Sequence, residues 1–273
     1  MATEIIEIIG PPGVGKTTLY DALCLQWKPS YNWIHQDAVL SPAPVIKDFR
    51  NWAEFKLKSI LKRKWSRSVP TEFGLRFVQL HPGLSDFCWQ RLSSERSFTE
   101  NITDIRFRTA FHLYADFCRY QAIAEKGSSM PCVLNEGLLQ KSFLIQSDAR
   151  IMSDLLNRYL MLVPLPAAII YIDTDKARIV GRLMNRRKVI ATHHGKNRDE
   201  LLDDIVHWQG LLQLTISWMI NHQVPVYTID GARSVSENVL TILKLLGKQD
   251  TVQRSHKHKT RSTMDATKVA LSE

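Results

Sequence analysis

Residues 5–18 read IIEIIGPPGVGKTT, in which an apolar segment runs into a loop rich in glycine. Residues 10–18 match the pattern G-x-x-x-x-G-K-[ST] in full, and Leu19–Leu23 continue with residues compatible with a helix. A strand, such a loop and a helix in this order are typical of the phosphate-binding loop, or P-loop. A chance match on a surface turn would not explain both flanking segments. The stretch therefore predicts that the chain binds a nucleoside triphosphate.

The residue types of this loop suit the task. Glycines let the backbone N–H groups wrap a phosphate, because a side chain would obstruct the φ values that the wrap requires. Lys16 can reach the β- and γ-phosphates, and the hydroxyl of Thr17 can hold Mg²⁺. The residues of the loop that we predict to bind the nucleotide are Gly10, Pro11, Pro12, Gly13, Val14, Gly15, Lys16, Thr17 and Thr18.

Strand and helix patterns alternate along the chain. Apolar segments that end at turn residues predict strands at residues 4–9, 31–34, 131–134, 167–172 and 224–229. Helical patterns are found from the P-loop to about residue 27, at 45–65, 104–126 and 147–160, around the arginines at 178–187, at 199–221, and from a capping box at Ser234 and Glu237 to about residue 247. Residues 66–103 give no clear pattern. The alternation predicts an α/β fold, the three-layer fold of P-loop NTPases, with a five-stranded parallel sheet, helices on both faces and a helical insertion. Ligands of such a sheet bind at the carboxyl ends of its strands.

The net charge of +9 is distributed unevenly over the 273 residues. Residues 44–126 contain 15 basic and 9 acidic residues, residues 248–273 contain 6 and 3, and the rest of the chain contains 15 of each. We therefore divide the chain into a P-loop core at 1–43 and 127–247, a basic helical insertion at 44–126 and a disordered basic tail at 248–273. The insertion suits an anionic ligand, nucleic acid included, although a solvated basic face would give the same composition.

Other features bear on the compartment. The four cysteines are scattered without a C-x-x-C pair, which indicates reduced thiols. The longest apolar run, residues 159–172, is broken by Pro164 and Pro166 and is too short for a membrane span. The apolar segment near Met1 is interpreted as a strand rather than a signal peptide. We expect a cytoplasmic protein without a membrane partner.

Two acidic residues follow predicted strands and are candidates for chemistry. Glu136 emerges from a buried strand that we expect beside the P-loop strand, where a carboxylate could act as a general base or as a magnesium ligand. Asp37 follows the second strand and could bind an acceptor hydroxyl or amine. For each of them, an ordinary turn residue is the alternative.

Four features together resemble the P-loop kinases of the nucleoside and nucleoside-monophosphate kinase group, which includes adenylate, thymidylate and deoxynucleoside kinases. They are the loop at 10–18, the acidic turn at 135–137, the arginine series at 182–187 and the closing strand with Asp230 and Gly231. The loop is highly specific, the arginine series moderately so, and the other two are weak alone. The resemblance covers residues 4–247.

The resemblance implies roles for further residues. Arg182, Arg186 and Arg187 would belong to a lid that closes over ATP, with Arg182 and Arg186 on one face of a helix. The insertion would bind the acceptor, and Arg119 on its last helix would contact it. The group often has Asp where this chain has Asn135, so direct metal binding falls less certainly on that residue. A solvated basic helix face is the alternative for Arg182, Arg186 and Arg187, and an ordinary helix-surface arginine is the default interpretation of Arg119.

The sequence thus predicts an ATP- and Mg²⁺-dependent phosphotransferase, a kinase acting on a small acceptor, and the resemblance favours a nucleoside or nucleotide. A kinase of nucleic-acid ends is an alternative, because residues 56–67 hold six basic residues and no acidic one, and a kinase of a glycan is a further one. A nucleotide-switched ATPase that binds a partner protein is another. The GTPase form of such a switch is disfavoured, because the chain lacks the N/T-K-x-D motif that a resemblance to GTPases would require. The oligomeric state is left open.

Overall fold

The computed structural model of the chain describes residues 2–42, 44, 47–60, 68–93, 103–145, 149–186, 193 and 195–247. The strands are β1 (Ile5–Ile9), β2 (Ile34–His35), β3 (Cys132–Asn135), β4 (Ala168–Asp173) and β5 (Val226–Asp230). They form one parallel sheet in the order β2-β3-β1-β4-β5. The five-stranded parallel sheet predicted from the sequence is confirmed, and the P-loop strand lies at its centre.

Helices connect and cover the strands. They are α1 (Lys16–Leu25), α2 (Gln36–Leu40), α3 (Phe49–Ile60), α4 (Glu72–Leu80), α5 (Pro82–Ser93), α6 (Thr103–Glu125), α7 (Ala149–Leu162), α8 (Lys176–Met184), α9 (Arg198–Asn221) and α10 (residues 235–247), with a 3₁₀ helix at Leu139–Ile145. The predicted capping box of α10 is confirmed: Glu237 N donates to Ser234 Oγ at 3.3 Å, and Ser234 N donates to Glu237 Oε2 at 3.0 Å. Within these described residues, no helix combines the length and apolar character that a bilayer crossing requires.

The sheet is buried on both faces. In β1, Ile5 and Ile9 join the apolar cluster that contains α5, α6 and α7, whereas Ile6 and Ile8 join the cluster that contains α1, α8 and α10. Successive side chains of a strand point to opposite faces, so a strand covered on both sides reads as a continuous apolar run. The two clusters account for the apolar sequence of β1, with Glu7 as its exception.

The stretch that the sequence left unassigned contains helices packed on α6. Phe77 of α4 stacks on Phe117 of α6 with ring centroids 4.4 Å apart. Gly74 makes the close approach possible, because a Cβ there would lie 2.6 Å from Cζ of Tyr114. Phe77 and Phe117 belong to the same apolar cluster as β1. Helices α4, α5 and α6 of the insertion therefore contribute to the core beneath the sheet, whereas α3 supplies none of the described residues of this cluster.

The second strand is shorter than predicted. The prediction of residues 31–34 is wrong for its first three residues, and β2 is confined to Ile34 and His35. The carbonyl oxygen of Trp33 accepts the indole N–H of Trp27 at 2.8 Å, and Tyr31 stacks on Trp33. The side chains of Trp27 and Tyr31 both contact Trp33, and residues 31–33 do not join the sheet.

Candidate functional site

The P-loop connects β1 to α1 with the backbone that its glycines permit. Gly15 precedes α1 with a φ of 107°, and Gly13 has a φ of 82°. Both values are in the left-handed region, which is costly for residues with a Cβ. Both glycines also belong to the wall of a cleft above the loop. Gly13 and Gly15 therefore adopt backbone conformations that the sequence analysis assigned to the glycines of this loop.

Two glycines of the loop are also required by packing. A Cβ on Gly10 would lie 2.5 Å from the carbonyl oxygen of Ile172 in β4. A Cβ on Gly13 would lie 2.7 Å from Cδ2 of Leu183 in α8. The loop thus rests against β4 and α8.

Lys16 lies at the start of α1 and is 5% exposed. Its ammonium donates to the carbonyl oxygens of Gly10 at 2.8 Å and Pro11 at 3.2 Å. Its Nζ is also 3.4 Å from Oε1 of Glu136. Burial lowers the pKa of Lys16, and the carboxylate of Glu136 opposes that effect. The sequence-predicted lysine and the sequence-predicted carboxylate therefore face each other.

Glu136 owes its place to the sheet order. β3 pairs with β1, and Glu136 N donates to the carbonyl oxygen of Ile8 at 3.3 Å immediately after β3 ends. Its φ is 59°, a left-handed conformation that is uncommon for a residue other than glycine. Strain of this kind persists only where surrounding contacts hold it, and it is concentrated at functional sites. The conformation coincides with the ion pair between Glu136 and Lys16.

The cleft above the P-loop has a volume of about 670 Å³. Its wall combines the loop, the turn after β3, the end of α8 and the start of α10. Among the described residues, five cationic side chains and one carboxylate line it: Lys16, Lys141, Arg182, Arg186, Arg233 and Glu136. An excess of positive charge in a cleft attracts anions and concentrates them. The cleft suits a polyphosphate.

Arg182 joins two walls of this cleft. Its guanidinium donates to the carbonyl oxygen of Val14 in the P-loop at 2.7 Å and to that of Gly231 after β5 at 3.0 Å. Arg178, one turn earlier, donates to the carbonyl oxygen of Ala232 at 3.1 Å. The planar fork of a guanidinium suits this two-point attachment.

The arginine series does not form one helix face. α8 ends at Met184, with Asn185 at its C-terminus, so Arg186 lies beyond the helix and the expectation of a shared face with Arg182 is wrong. Arg186 still lines the cleft. Arg187 lies outside the described residues. The chain past α8 thus presents Arg186 from a non-helical segment.

We expect Arg182→Lys to raise the KM for ATP roughly tenfold, because an ammonium cannot hold the two carbonyl oxygens as the guanidinium does. Steady-state kinetics at varied ATP concentration measure the effect. Arg178→Lys, one turn away on an exposed side chain, is the matched control and should change KM less than threefold, roughly. Equal effects in both variants would contradict the bridging role of Arg182.

The structure places the two predicted acceptor residues away from this cleft. Asp37 is in the first turn of α2, and Arg119 is on α6, where it forms an ion pair with Asp116. Neither lines the cleft around the P-loop, although both belong to the described part of the chain. Asp116 also pairs with Lys141 at 2.5 Å, and Lys141 does line it. The role of Asp37 and Arg119 in binding an acceptor stays a prediction.

Two side chains of the cleft offer oxygen atoms that could bind magnesium. Thr17 and Glu136 both line the cleft, and the Glu136 side chain is 43% exposed. Magnesium takes oxygen ligands and keeps several waters and phosphate oxygens beside one or two protein groups. In the described ranges, no group of three or more His, Cys, Asp or Glu side chains forms a separate metal site. A hydroxyl and a carboxylate beside a phosphate loop fit magnesium held jointly with a nucleotide.

Two residues that support the site, Gln140 and Glu7, were not among those predicted from the sequence. Gln140, after the acidic turn, accepts the N–H of Gly10 with its Oε1 at 3.2 Å. Glu7, in the middle of β1, is fully buried and accepts the N–H groups of Leu138 at 3.1 Å and Leu139 at 3.0 Å. No motif marks Gln140. A charged residue inside an otherwise apolar strand was the available signal for Glu7.

Burial raises the pKa of Glu7 from its ordinary value of 4.5 to about 7. The N–H groups of Leu139 and Leu138 and the charge of Lys141 oppose this shift, and the charge of Asp116 reinforces it. A raised pKa means that folding favours the protonated carboxyl. The contribution of this group to stability is therefore full below pH 4.5 and is lost as the pH rises through about 7.

We expect the unfolding free energy of the wild type, relative to Glu7→Gln, to fall by about 3 kcal/mol between pH 4.5 and pH 7. Glutamine does not titrate, so the difference isolates the carboxyl. Denaturant unfolding at a series of pH values measures it. A difference that stays flat or rises with pH would contradict the raised pKa.

Neither a protein-family model nor a curated protein matches the chain. Among solved structures, the chain is similar to a shikimate kinase from Bacteroides thetaiotaomicron, with 14% sequence identity and a TM-score of 0.39. The match covers 89% of this chain and 98% of that chain. At this TM-score the similarity supports no assignment of substrate or catalytic residues.

Proposed function

We propose that the protein is an ATP- and Mg²⁺-dependent kinase that transfers a phosphoryl group to a small acceptor. The contact between Lys16 and Glu136 carries the proposal, because it brings a cation for the moving phosphate and a candidate base to one point at 3.4 Å. The P-loop conformation and the cationic cleft support it. Phosphoryl transfer requires mainly positioning and charge stabilisation, which these groups supply.

The residues of the P-loop would hold the triphosphate. Backbone N–H groups at Gly13 and Gly15 would cradle it, and the ammonium of Lys16 would exchange its loop carbonyl oxygens for phosphate oxygens. Thr17 would hold Mg²⁺, which neutralises phosphate charge when bound, and Glu136 would either join Thr17 in holding the ion or serve as the base. Arg182 would fix the loop, and Arg186 and Arg187 would approach the phosphates as a lid.

In the transfer step, the oxygen of an acceptor hydroxyl forms a bond to the γ-phosphorus. The bond from that phosphorus to the oxygen bridging the β- and γ-phosphates breaks, and ADP leaves. The proton of the hydroxyl passes to the carboxylate of Glu136. Charge on the equatorial oxygens is stabilised by Lys16 and Arg186.

The acceptor would be a nucleoside or nucleotide, a choice supported by the resemblance described for the sequence. It would bind on the insertion side, near Asp37 and Arg119. Arg119 and Lys141 both pair with Asp116, and Lys141 also lines the cleft. This cluster would connect the acceptor region to the P-loop.

A panel of acceptors tests the proposal. The purified protein is incubated with γ-labelled ATP, Mg²⁺ and nucleosides, nucleotides, sugars or oligonucleotides. Label in one acceptor, with ADP released in equal amount, supports a kinase and names its substrate. Label only in inorganic phosphate, stimulated by a protein partner, would instead indicate a nucleotide-switched ATPase.

A further inference from the structure

Glu7 is an ionisable residue in a part of the sheet that solvent does not reach. It is 0% exposed and lies on the same face of β1 as Ile5 and Ile9. A buried carboxylate is costly unless hydrogen bonds and charges compensate it. Glu7 nevertheless occupies the middle of the strand that leads into the P-loop. An apolar side chain at this position would continue the pattern of the strand.

The carboxylate is attached to one short segment of backbone. One oxygen accepts the N–H of Leu138 and the other that of Leu139. Gly137 lies directly against it, since a Cβ there would be 2.3 Å from Cδ of Glu7. The hydroxyl of Tyr159 donates to the carbonyl oxygen of Leu138 at 2.5 Å from the other side. The segment is held from two elements.

The two residues that flank this segment face the P-loop. Glu136 precedes it and pairs with Lys16. Gln140 follows it, is 6% exposed and accepts the N–H of Gly10. A shift of residues 137–139 would therefore move both neighbours: Glu136, which contacts Lys16 at one end of the P-loop, and Gln140, which contacts Gly10 at the other end.

We propose that Glu7 is a positioning residue whose carboxylate clamps residues 137–139 and so holds Glu136 and Gln140 against the P-loop. The expected effect of Glu7 on turnover rests on the proposed function, whereas its effect on the positions of Glu136 and Gln140 does not. Glu7 acts through backbone hydrogen bonds, and its own side chain does not line the cleft. The strand thus sets the geometry of the loop that follows it and of the turn beside it.

Glu7→Gln tests the clamp with little change of volume. Only one of its terminal atoms is an acceptor, so its amide group would face one of the two N–H donors with a donor. Ile5→Val is the matched control, because it weakens packing on the same face of the same strand and leaves the clamp intact. Amide hydrogen exchange is measured residue by residue by NMR at about pH 8, where Glu7 of the wild type is ionised.

We expect exchange at Leu138, Leu139 and Gly10 to be roughly tenfold faster in Glu7→Gln than in Ile5→Val, after normalisation to the central amides of β4. Gln140→Ala should speed exchange at Gly10 alone. This variant separates the effect of Glu7 on residues 137–139 from the contact that carries this effect to the P-loop. Gly137→Ala presses on the same carboxylate from the opposite side and replaces Glu7→Gln if that variant does not fold. Unchanged exchange at Gly10 in these clamp variants would overturn the proposal.

Turnover supplies the second test once an acceptor is known. We expect the kcat of Glu7→Gln to fall roughly tenfold with the KM for ATP changed less than threefold. Losses equal to those of Ile5→Val in both constants would overturn the catalytic role. If the wild type phosphorylates no acceptor, the proposed function fails, and the exchange at Gly10 still decides whether Glu7 holds the turn against the loop.

Discussion

Lys16→Ala is expected to reduce phosphoryl transfer roughly 10²- to 10³-fold, the scale on which removing one preorganised donor acts. The ammonium is desolvated and already oriented by two loop carbonyl oxygens and Glu136. Its charge therefore needs little reorganisation when a phosphate replaces those oxygens. Transfer of label from γ-labelled ATP measures the loss.

Lys28→Ala is the matched control for Lys16→Ala. Lys28 is an exposed lysine beyond the end of α1, and we expect its removal to leave turnover within twofold, roughly. The far-UV circular dichroism of both variants should be that of the wild type, because the carboxylate of Glu136 is open to water after Lys16 is removed. Unchanged turnover in Lys16→Ala would refute the proposed site.

Glu136→Gln is expected to lower kcat roughly 10²- to 10⁴-fold, the range found for general bases. The amide keeps the size of the side chain but cannot take a proton from an acceptor hydroxyl. Glu136 is 43% exposed, so the substitution opens no cavity, and the carbonyl oxygens of Gly10 and Pro11 still accept from the Lys16 ammonium. Turnover at saturating ATP and acceptor measures the effect.

The magnesium dependence of Glu136→Gln separates the two roles open to this residue. A magnesium ligand would give a raised requirement for Mg²⁺, and excess Mg²⁺ would restore part of the rate. A base would give a rate that no concentration of Mg²⁺ restores. Asp21→Asn, which removes an exposed carboxylate from α1, is the control. Wild-type turnover in Glu136→Gln would exclude both roles.

The sheet and the P-loop could be predicted because their signals are local. The apolar runs of β1 and β4 and the glycine spacing of the loop are determined by neighbours in sequence. The position of β3 beside β1, which brings Glu136 to Lys16, agrees with the expectation stated for the sequence, although this pairing joins segments that are remote along the chain.

The rest depends on contacts between remote segments. Gln140 reaches Gly10 across 130 positions, and Glu7 reaches Leu138 across 131. The end of α8 before Arg186 is set locally at Asn185, yet the regular spacing of the arginines concealed it. Helix α4 packs mainly on α6, and α5 packs on α4, α6, α7 and the 3₁₀ helix, so these two helices depend on contacts that no local sequence pattern reveals.

The two attachments of Arg182 give the cleft an unexpected mechanical property. One guanidinium connects the loop between β1 and α1 to the turn between β5 and α10. These two hydrogen bonds oppose an increase in the distance between the loop and the turn. A ligand whose ends touch both regions would find their spacing already fixed. We therefore expect a ligand that contacts both regions to bind without a large change in their separation.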